Sequence, residues 1–157
     1  MATAYLGLGA NLGDCRASIE AALDELRRSP RVRVLTVSTL ITTDPMGGPP
    51  GQPKYLNGAA QIETDLAPEA LLAELKRIER LLGRAAGGPR WGPRPIDLDI
   101  LLYDDLVLDT PDLIIPHLGL RERQFVLAPL SEIAPDARDP VTGRTAKELL
   151  ARLEDRG

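Results

Sequence analysis

Two periods of hydrophobic residues alternate along this chain and divide it into strands and helices. Four short segments are rich in aliphatic and β-branched residues, which is typical of strands. Between them, apolar residues recur every three to four positions, which predicts two helices. The first helix ends at about Arg28. The second begins near Pro68, a residue that suits a first helical turn, and ends at Gly83, a residue that favours a helix end. The predicted strands are 3–8, 32–42, 55–64 and 96–103, with a glycine-rich turn at 7–14 leading from the first strand into the first helix.

The order of these elements, strand, helix, strand, strand, helix, strand, predicts an α+β fold with a ferredoxin-like βαββαβ core and an antiparallel sheet. Asp104 and Asp105 predict a turn into a further strand at 106–108, which would form a hairpin with the fourth strand. Helices predicted near 126–133 and 145–153 would cover the second face of the sheet and complete three layers, α/β/α. The 157 residues fit one domain, 1–157.

Two connections are too long and too rich in proline and glycine to be simple links. The segment 44–54 contains four prolines and three glycines, and the segment 83–95 contains four glycines, three prolines and three arginines. Loops of this length without structure of their own are either disordered or functional lids. The arginines and Trp91 favour a lid for the second segment, whereas for the first segment both alternatives stay open.

The charge balance argues against a protein that binds nucleic acid or a membrane surface. Lysine and arginine number 19 and aspartate and glutamate 23, a net charge of −4. No apolar run approaches the roughly 18 residues of a membrane span, so we expect a soluble, cytoplasmic protein. The single Cys15 excludes an internal disulfide. Aromatic residues make up only 3% of the chain, and Tyr55, Trp91 and Phe125 lie in or beside polar or Pro/Gly-rich segments where a core ring is not expected.

A pair of carboxylates on the fourth strand is the strongest chemical signal. Alternation along a strand places Asp97 and Asp99 on one face, roughly 7 Å apart. Two like charges at that spacing repel one another unless a cation lies between them, and Mg²⁺ prefers a few carboxylates together with substrate phosphates. A solvated sheet surface is the alternative for such a pair alone. The opposite, apolar face is predicted to contain Ile96, Leu98, Ile100 and Leu102.

The segment that leads into this strand favours a phosphate site over a solvated surface. Pro93 and Pro95 restrict the approach of the chain to the strand. Arg84, Arg90 and Arg94 supply forked donors of the kind that bind phosphate oxygens. The combination predicts a metal-assisted phosphate site.

The same segment resembles a known family. Arg90-Trp91-Gly92-Pro93-Arg94-Pro95-Ile96-Asp97-Leu98-Asp99-Ile100 is similar to a highly specific block of the 6-hydroxymethyl-7,8-dihydropterin pyrophosphokinases, enzymes of folate biosynthesis. Five further segments are similar in the same order, so the resemblance extends over nearly the whole chain. They are 9–12, 52–57, 77–79, 116–117 and 123–130.

The resemblance implies transfer of the β,γ-pyrophosphoryl group of ATP to the hydroxymethyl oxygen of the dihydropterin, with release of AMP and with two Mg²⁺ ions as cofactors. Such a transfer mainly requires positioning and charge neutralisation. The implied catalytic residues are Arg84, Arg94, Asp97 and Asp99, and the two aspartates are also the implied metal ligands. The implied ATP contacts are Glu79, Arg84, Trp91, Arg94, Ile100, His117 and Arg123. The implied pterin contacts are Thr43, Pro45, Met46, Gly47, Tyr55, Asn57, Asp97 and Phe125.

For several of these residues an ordinary structural role stays open. His117 follows an apolar run and could be a buried, hydrogen-bonded imidazole, and Phe125 could pack beneath the last helices. Glu79 could be a helix-surface acid, and Arg121 and Arg123 could be a solvated pair of charges.

The resemblance is incomplete around the implied nucleotide site. Lys76 stands where the family often has glutamine, Leu118 stands where an aromatic residue is frequent, and 85–88 lacks extra basic residues, so nucleotide affinity is expected to differ from that of relatives. Two other classes remain as alternatives: another two-metal nucleotidyl- or phosphoryl-transfer enzyme on a ferredoxin-like fold, and a ligand-sensing module. We expect a monomer whose partners are its small-molecule substrates, ATP and the dihydropterin, without nucleic acid or membrane.

Overall fold

The computed structural model describes residues 1–11, 14–43, 54–84 and 96–155, and within them it contains a five-stranded sheet, a two-stranded ribbon and four α-helices. The strands are β1 (Ala2–Ala10), β2 (Val32–Val37), β3 (Ile41–Thr43), β4 (Tyr55–Thr64), β5 (Asp97–Tyr103), β6 (Leu108–Asp109) and β7 (Ile114–Ile115). The helices are α1 (Cys15–Arg28), α2 (Pro68–Glu79), α3 (Gln124–Ile133) and α4 (Ala146–Asp155). No helix in these described ranges combines the length and apolar character needed to cross a membrane.

The sheet is antiparallel, with the order β2-β4-β1-β5, and β3 pairs with β4 next to β2. Helices α1 and α2 cover one face and α3 and α4 the other, so the expected α+β class is confirmed and two hydrophobic clusters flank the sheet. The first cluster includes Leu6, Leu8, Ile19, Leu26, Ile62, Leu71, Leu75, Ile78, Leu98 and Ile100. The second includes Ala59, Leu101, Leu102, Leu120, Leu127, Leu130 and Leu149.

The first strand is longer than predicted, and its glycines lie inside it. Gly7 and Gly9 belong to β1 and pair with neighbours on both sides, so the predicted start of a turn at residue 7 is wrong. Glycine inside a strand often marks a close approach of another group. A side chain at Gly7 would meet Leu101 at 3.3 Å, which explains why none is present there.

The predicted strand at 32–42 is divided into β2 and β3. Ser38 interrupts it, because its hydroxyl accepts the Ala59 N–H at 2.8 Å and so replaces a backbone acceptor. Thr39 is held by the Glu132 carboxylate of α3, which accepts its N–H at 2.9 Å and its hydroxyl at 3.0 Å. These contacts displace 38–40 from the sheet.

A β-bulge changes which residues of β5 face each cluster. Tyr5 pairs with Leu102 whereas Leu6 pairs with Ile100, so Leu101 is an extra residue in the ladder. Leu98 and Ile100 face the first cluster as predicted, but Leu102 joins the second cluster. The prediction that Leu102 shares their face is therefore wrong, because the bulge at Leu101 reverses the alternation from Leu102 onwards.

The segment after β5 does not form the predicted hairpin with it. Leu106 donates its N–H to Tyr103 O at 3.0 Å, and Asp104, with a φ of 47°, exchanges hydrogen bonds with Thr3 of β1. The chain thereby turns away, and β6 pairs with β7 instead of with β5. The predicted C-terminal helices are confirmed as α3 and α4, with ends within two residues of those expected.

Candidate active site

A row of three residues crosses strands β4, β1 and β5 near one end of the sheet, on the α3 side. Gly9 of β1 lies directly between Asn57 of β4 and Asp97 of β5 in the register of the two ladders. A Cβ placed on Gly9 would lie 3.3 Å from Asn57 Oδ1 and 4.0 Å from Asp97 Cβ. The missing side chain therefore leaves a shallow space between an amide and a carboxylate. Sequence reasoning missed Gly9 as a site residue, although a glycine next to Ala10 and Asn11 was the available signal.

The amide end of this row is fixed by a neighbouring hydroxyl. Asn57 is buried and its Nδ2 donates to Thr43 Oγ1 of β3 at 2.6 Å. Tyr55 lies two residues before Asn57 on the same strand, and burial, together with the charge of Asp97, raises the pKa of its phenol. The structure thus brings together four of the residues implied for the pterin: Thr43, Tyr55, Asn57 and Asp97.

Phe125 lies in the first turn of α3, a helix that covers this face. It is half-buried, and the guanidinium of Arg123 lies 5.9 Å from the centre of its ring. The core beneath α3 is built by Leu127 and Leu130, which are fully buried, and Phe125 is not part of that described cluster. This arrangement leaves an aromatic face at the margin of the α3 core rather than within it.

The two aspartates concentrate negative charge at this end of β5. Both are partly buried, and the side chain of Asp99 is 49% exposed. Burial raises the pKa of Asp99 and the charge of Asp97 raises it further, while His117 and Lys76 act in the opposite direction. A bound cation would remove the repulsion between the carboxylates. No group of three or more His, Cys, Asp or Glu side chains suited to a metal occurs in the described ranges. Mg²⁺ commonly completes its coordination with water and substrate phosphates.

His117 lies beside Asp99, with 3.9 Å between Nε2 and Oδ2. The Gly119 N–H donates to its Nδ1 at 3.0 Å, and its own backbone N–H donates to Leu101 O at 3.1 Å. Because Nδ1 accepts a hydrogen bond, the ring proton lies on Nε2 and points towards the acidic pair. The imidazole is hydrogen-bonded, as the structural alternative expected, but it is 24% exposed and so is only partly buried.

A cavity of about 500 Å³ opens next to the acidic pair. Ile100, His117 and Arg123, three of the implied ATP contacts, line it together with Asp99, and Lys76 and Leu118 also face it. Arg121 does not: its guanidinium binds the buried Asp139 at 2.5 and 3.0 Å, so Arg121 is a structural residue and not a solvated charge.

Glu79 is buried and contacts β5. Its side chain is only 1% exposed, so it is not a helix-surface acid, and its Oε2 accepts the Leu98 N–H at 2.8 Å. It does not line the cavity, and its implied contact with ATP stays a prediction.

The remaining implied residues belong to the two long loops. Pro45, Met46, Gly47, Trp91 and Arg94 lie outside the described residues, as does the side chain of Arg84. Their roles, and the interpretation of the loops as lids, stay predictions.

The sequence matches a known family and relatives over most of its length. Residues 5–135 match the family model described as 7,8-dihydro-6-hydroxymethylpterin-pyrophosphokinase (HPPK). The chain is similar to 2-amino-4-hydroxy-6-hydroxymethyldihydropteridine pyrophosphokinase of Pseudomonas aeruginosa, with 48% identity over 94% of this chain and 89% of that protein. The protein with the same description from Methylorubrum extorquens is 43% identical over 100% of this chain and 97% of its own length.

The fold is similar to that of solved structures. A crystal structure of wild-type Plasmodium falciparum HPPK-DHPS with pteroate has a TM-score of 0.76 at 16% identity, and the match covers 99% of this chain and 43% of that chain. At this identity the likeness concerns the fold alone, and this chain spans less than half of that larger protein.

Proposed function

Since this chain belongs to the 7,8-dihydro-6-hydroxymethylpterin-pyrophosphokinase family and is a pyrophosphokinase of folate biosynthesis, we propose that the Asn57-Gly9-Asp97 row binds the dihydropterin and the adjoining cavity binds ATP. The enzyme transfers a pyrophosphoryl group to the hydroxymethyl group of the dihydropterin. The observation that carries the assignment of the two sites is that the row ends at Asp97 whereas Asp99, two residues later on β5, lines the cavity. Acceptor and donor would then meet at the acidic pair.

The dihydropterin is proposed to lie against Gly9 with its edge towards Asn57. An amide offers both a donor and an acceptor, as the pterin edge does. Tyr55 and Phe125 are proposed to stack on its two faces, because each ring is partly exposed on or beside this part of the sheet.

The triphosphate is proposed to extend from the cavity towards β5. The Nε2–H of His117 and the guanidinium of Arg123 are donors that face this space. Arg84 and Arg94 are proposed to bind the same phosphates from the loop. Asp97 and Asp99 would hold two Mg²⁺ ions, which would neutralise charge on the phosphate oxygens when bound.

In the proposed reaction the hydroxymethyl oxygen forms a bond to the β-phosphorus of ATP. The bond from that phosphorus to the α,β-bridging oxygen breaks, and this oxygen leaves with AMP. The hydroxyl proton passes to Asp97 or to solvent. Alignment of the two substrates supplies much of the rate enhancement, because in phosphoryl transfer there is little other chemistry for side chains to perform.

The strand order β2-β4-β1-β5, with a helix after β1 and another after β4, supports classification of the core as ferredoxin-like. A monomer that acts on small molecules, without nucleic acid or membrane, is the proposed working form, and the net charge of −4 supports it. The cytoplasmic location stays a prediction.

Product analysis tests the proposed reaction. Mg-ATP and 6-hydroxymethyl-7,8-dihydropterin are incubated with the protein, and nucleotides and phosphates are separated by chromatography. We expect AMP and the pterin diphosphate in equal amounts, without free pyrophosphate. Release of pyrophosphate would indicate nucleotidyl transfer, ADP would indicate transfer of a single phosphoryl group, and binding without turnover would indicate a ligand-sensing module.

A further inference from the structure

Strand β5 is at the edge of the sheet, and among the described residues the backbone groups on its outer side have no strand partner. The N–H of Leu98 is one of these groups, and the Oε2 of Glu79 accepts it at 2.8 Å. A second outer group, the Leu101 carbonyl, accepts the N–H of His117. Two partners from different parts of the chain therefore hold the outer edge of β5 where the acidic residues lie.

The partner of Leu98 is unusual because it is a buried acid. Glu79 is 1% exposed, and burial of a carboxylate is costly unless other groups compensate its charge. The ammonium of Lys76, one turn earlier on α2, lies 3.5 Å from Oε1 and provides such a charge. A neutral residue could fill the same space at a lower desolvation cost, so the presence of a carboxylate here suggests a function beyond packing.

Leu98 is the residue between Asp97 and Asp99. Because peptide units are planar, holding the Leu98 N–H sets the orientation of the peptide that joins Asp97 to Leu98. The hydrogen bond of Glu79 thus acts on the backbone that carries both carboxylates, although Glu79 itself does not line the cavity.

We propose that Glu79 is a positioning residue, which holds Leu98 through the N–H bond so that Asp97 and Asp99 are set at the spacing required by the metal-nucleotide complex. This inference rests on the proposed function, since it assumes that the two aspartates bind the metal. In this proposal the functional contact of Glu79 is its hydrogen bond to β5 and not a contact with ATP. Partners that orient the ligands of a metal typically affect affinity or activity by about 10–100-fold.

Two substitutions separate the hydrogen bond from the charge. Glu79→Gln and Glu79→Met both remove the negative charge and have nearly the same length and shape, but only glutamine retains an oxygen that can accept the Leu98 N–H. Glu74→Gln is the matched control, because Glu74 lies on the same helix and pairs with Arg77 away from β5. Affinity for Mn²⁺, a paramagnetic substitute for Mg²⁺, is measured in the presence of a non-hydrolysable ATP analogue, and the melting temperature of each variant is recorded.

We expect Glu79→Met to bind Mn²⁺ about tenfold more weakly than Glu79→Gln at a temperature where both are folded, and Glu74→Gln to match the wild type. Equal affinities for the methionine and glutamine variants, with a lower melting temperature for methionine alone, would show that the bond only stabilises the edge strand and would overturn the proposal. If Glu79→Met does not fold, Glu79→Asp replaces it. It keeps the charge but withdraws the carboxylate by one carbon, and an affinity equal to the wild type would likewise overturn the proposal.

The proposed function is tested separately in the same assay. The wild type should bind Mn²⁺ with the analogue, and Asp99→Asn should lose this binding. Failure of that control counts against the metal assignment itself, whereas a successful control with indistinguishable methionine and glutamine variants counts only against the positioning role of Glu79.

Discussion

A methyl group added at Gly9 should block the dihydropterin without unfolding the protein. The new Cβ would lie 3.3 Å from Asn57 Oδ1 and 4.0 Å from Asp97 Cβ, so it would occupy the space between the amide and the carboxylate. Gly9 is not among the described glycines with positive φ, so its backbone accepts alanine without strain. Replacing such a glycine stabilises a protein by roughly 0.4–1 kcal/mol through the unfolded chain. The close contact with Asn57 opposes this gain, and the net change in stability should be within about 1 kcal/mol.

The effect on binding should be larger than the effect on stability. The methyl would keep the pterin edge away from the Asn57 amide, and a buried polar group whose hydrogen bond is left unmade costs about 1–3 kcal/mol. At about 1.4 kcal/mol for each factor of ten, Gly9→Ala should weaken dihydropterin binding by roughly five- to 150-fold. ATP affinity should change little, because Gly9 does not line the nucleotide cavity. Both affinities are measured by calorimetric titration on a single preparation.

Gly7→Ala is the matched control for this experiment. Gly7 lies two residues earlier on the same strand and the same face, but its Cβ would meet the Leu101 side chain at 3.3 Å, within the second hydrophobic cluster. It should lower the melting temperature and leave dihydropterin affinity near the wild-type value. The reasoning would be refuted if Gly9→Ala bound the dihydropterin normally, or if both alanine variants lost affinity to the same extent.

Three further predictions follow from the site and its surroundings. Asp97→Ala should retain the fold but lose turnover by about a thousandfold, because metal-held charge stabilises the transition state by several kcal/mol. Turnover is measured as AMP release, and a near-normal rate would contradict the metal assignment. Phe125→Ala should weaken dihydropterin binding and leave ATP affinity unchanged. It should also cost less stability than the roughly 3–5 kcal/mol lost when a fully buried phenylalanine is replaced by alanine. A large loss of stability with intact dihydropterin affinity would instead make Phe125 a core residue. Burial opposes ionisation of Asp139, but hydrogen bonds from Arg121, Val141 and Thr142 outweigh this effect and lower its pKa in the folded protein. The stabilisation that Asp139 contributes is therefore present above the unfolded-state pKa of about 3.9. It is lost as the pH falls through the lower pKa of the folded state. Urea unfolding at several values between pH 7 and pH 3 should therefore show a smaller acid-induced loss for Asp139→Asn than for the wild type, and equal slopes would contradict this.

Local patterns were sufficient for most of the secondary structure. Strand β4 has the bounds 55–64 that its composition predicted, and α2 begins at Pro68 as expected of a residue that lacks an N–H. These features depend on neighbours within a few residues, which a single sequence displays directly. The acidic pair and the arginine-rich segment before it were also visible, since both lie within 90–100.

The sequence by itself therefore determined the class of fold and the family, and it indicated which residues are proposed to carry the chemistry. Only the tertiary structure decided how these residues meet. The interruption at Ser38 depends on Ala59 and Glu132, the bulge at Leu101 depends on the register of β1, and the role of Gly9 depends on strands that pair with it from both sides. Such contacts join residues far apart in the chain, and a shift of one residue in register reverses the face that every side chain occupies. Periodicity along the chain does not record that register, so the space between Asn57 and Asp97 and the bond from Leu98 to Glu79 emerged only when the strands were placed beside one another.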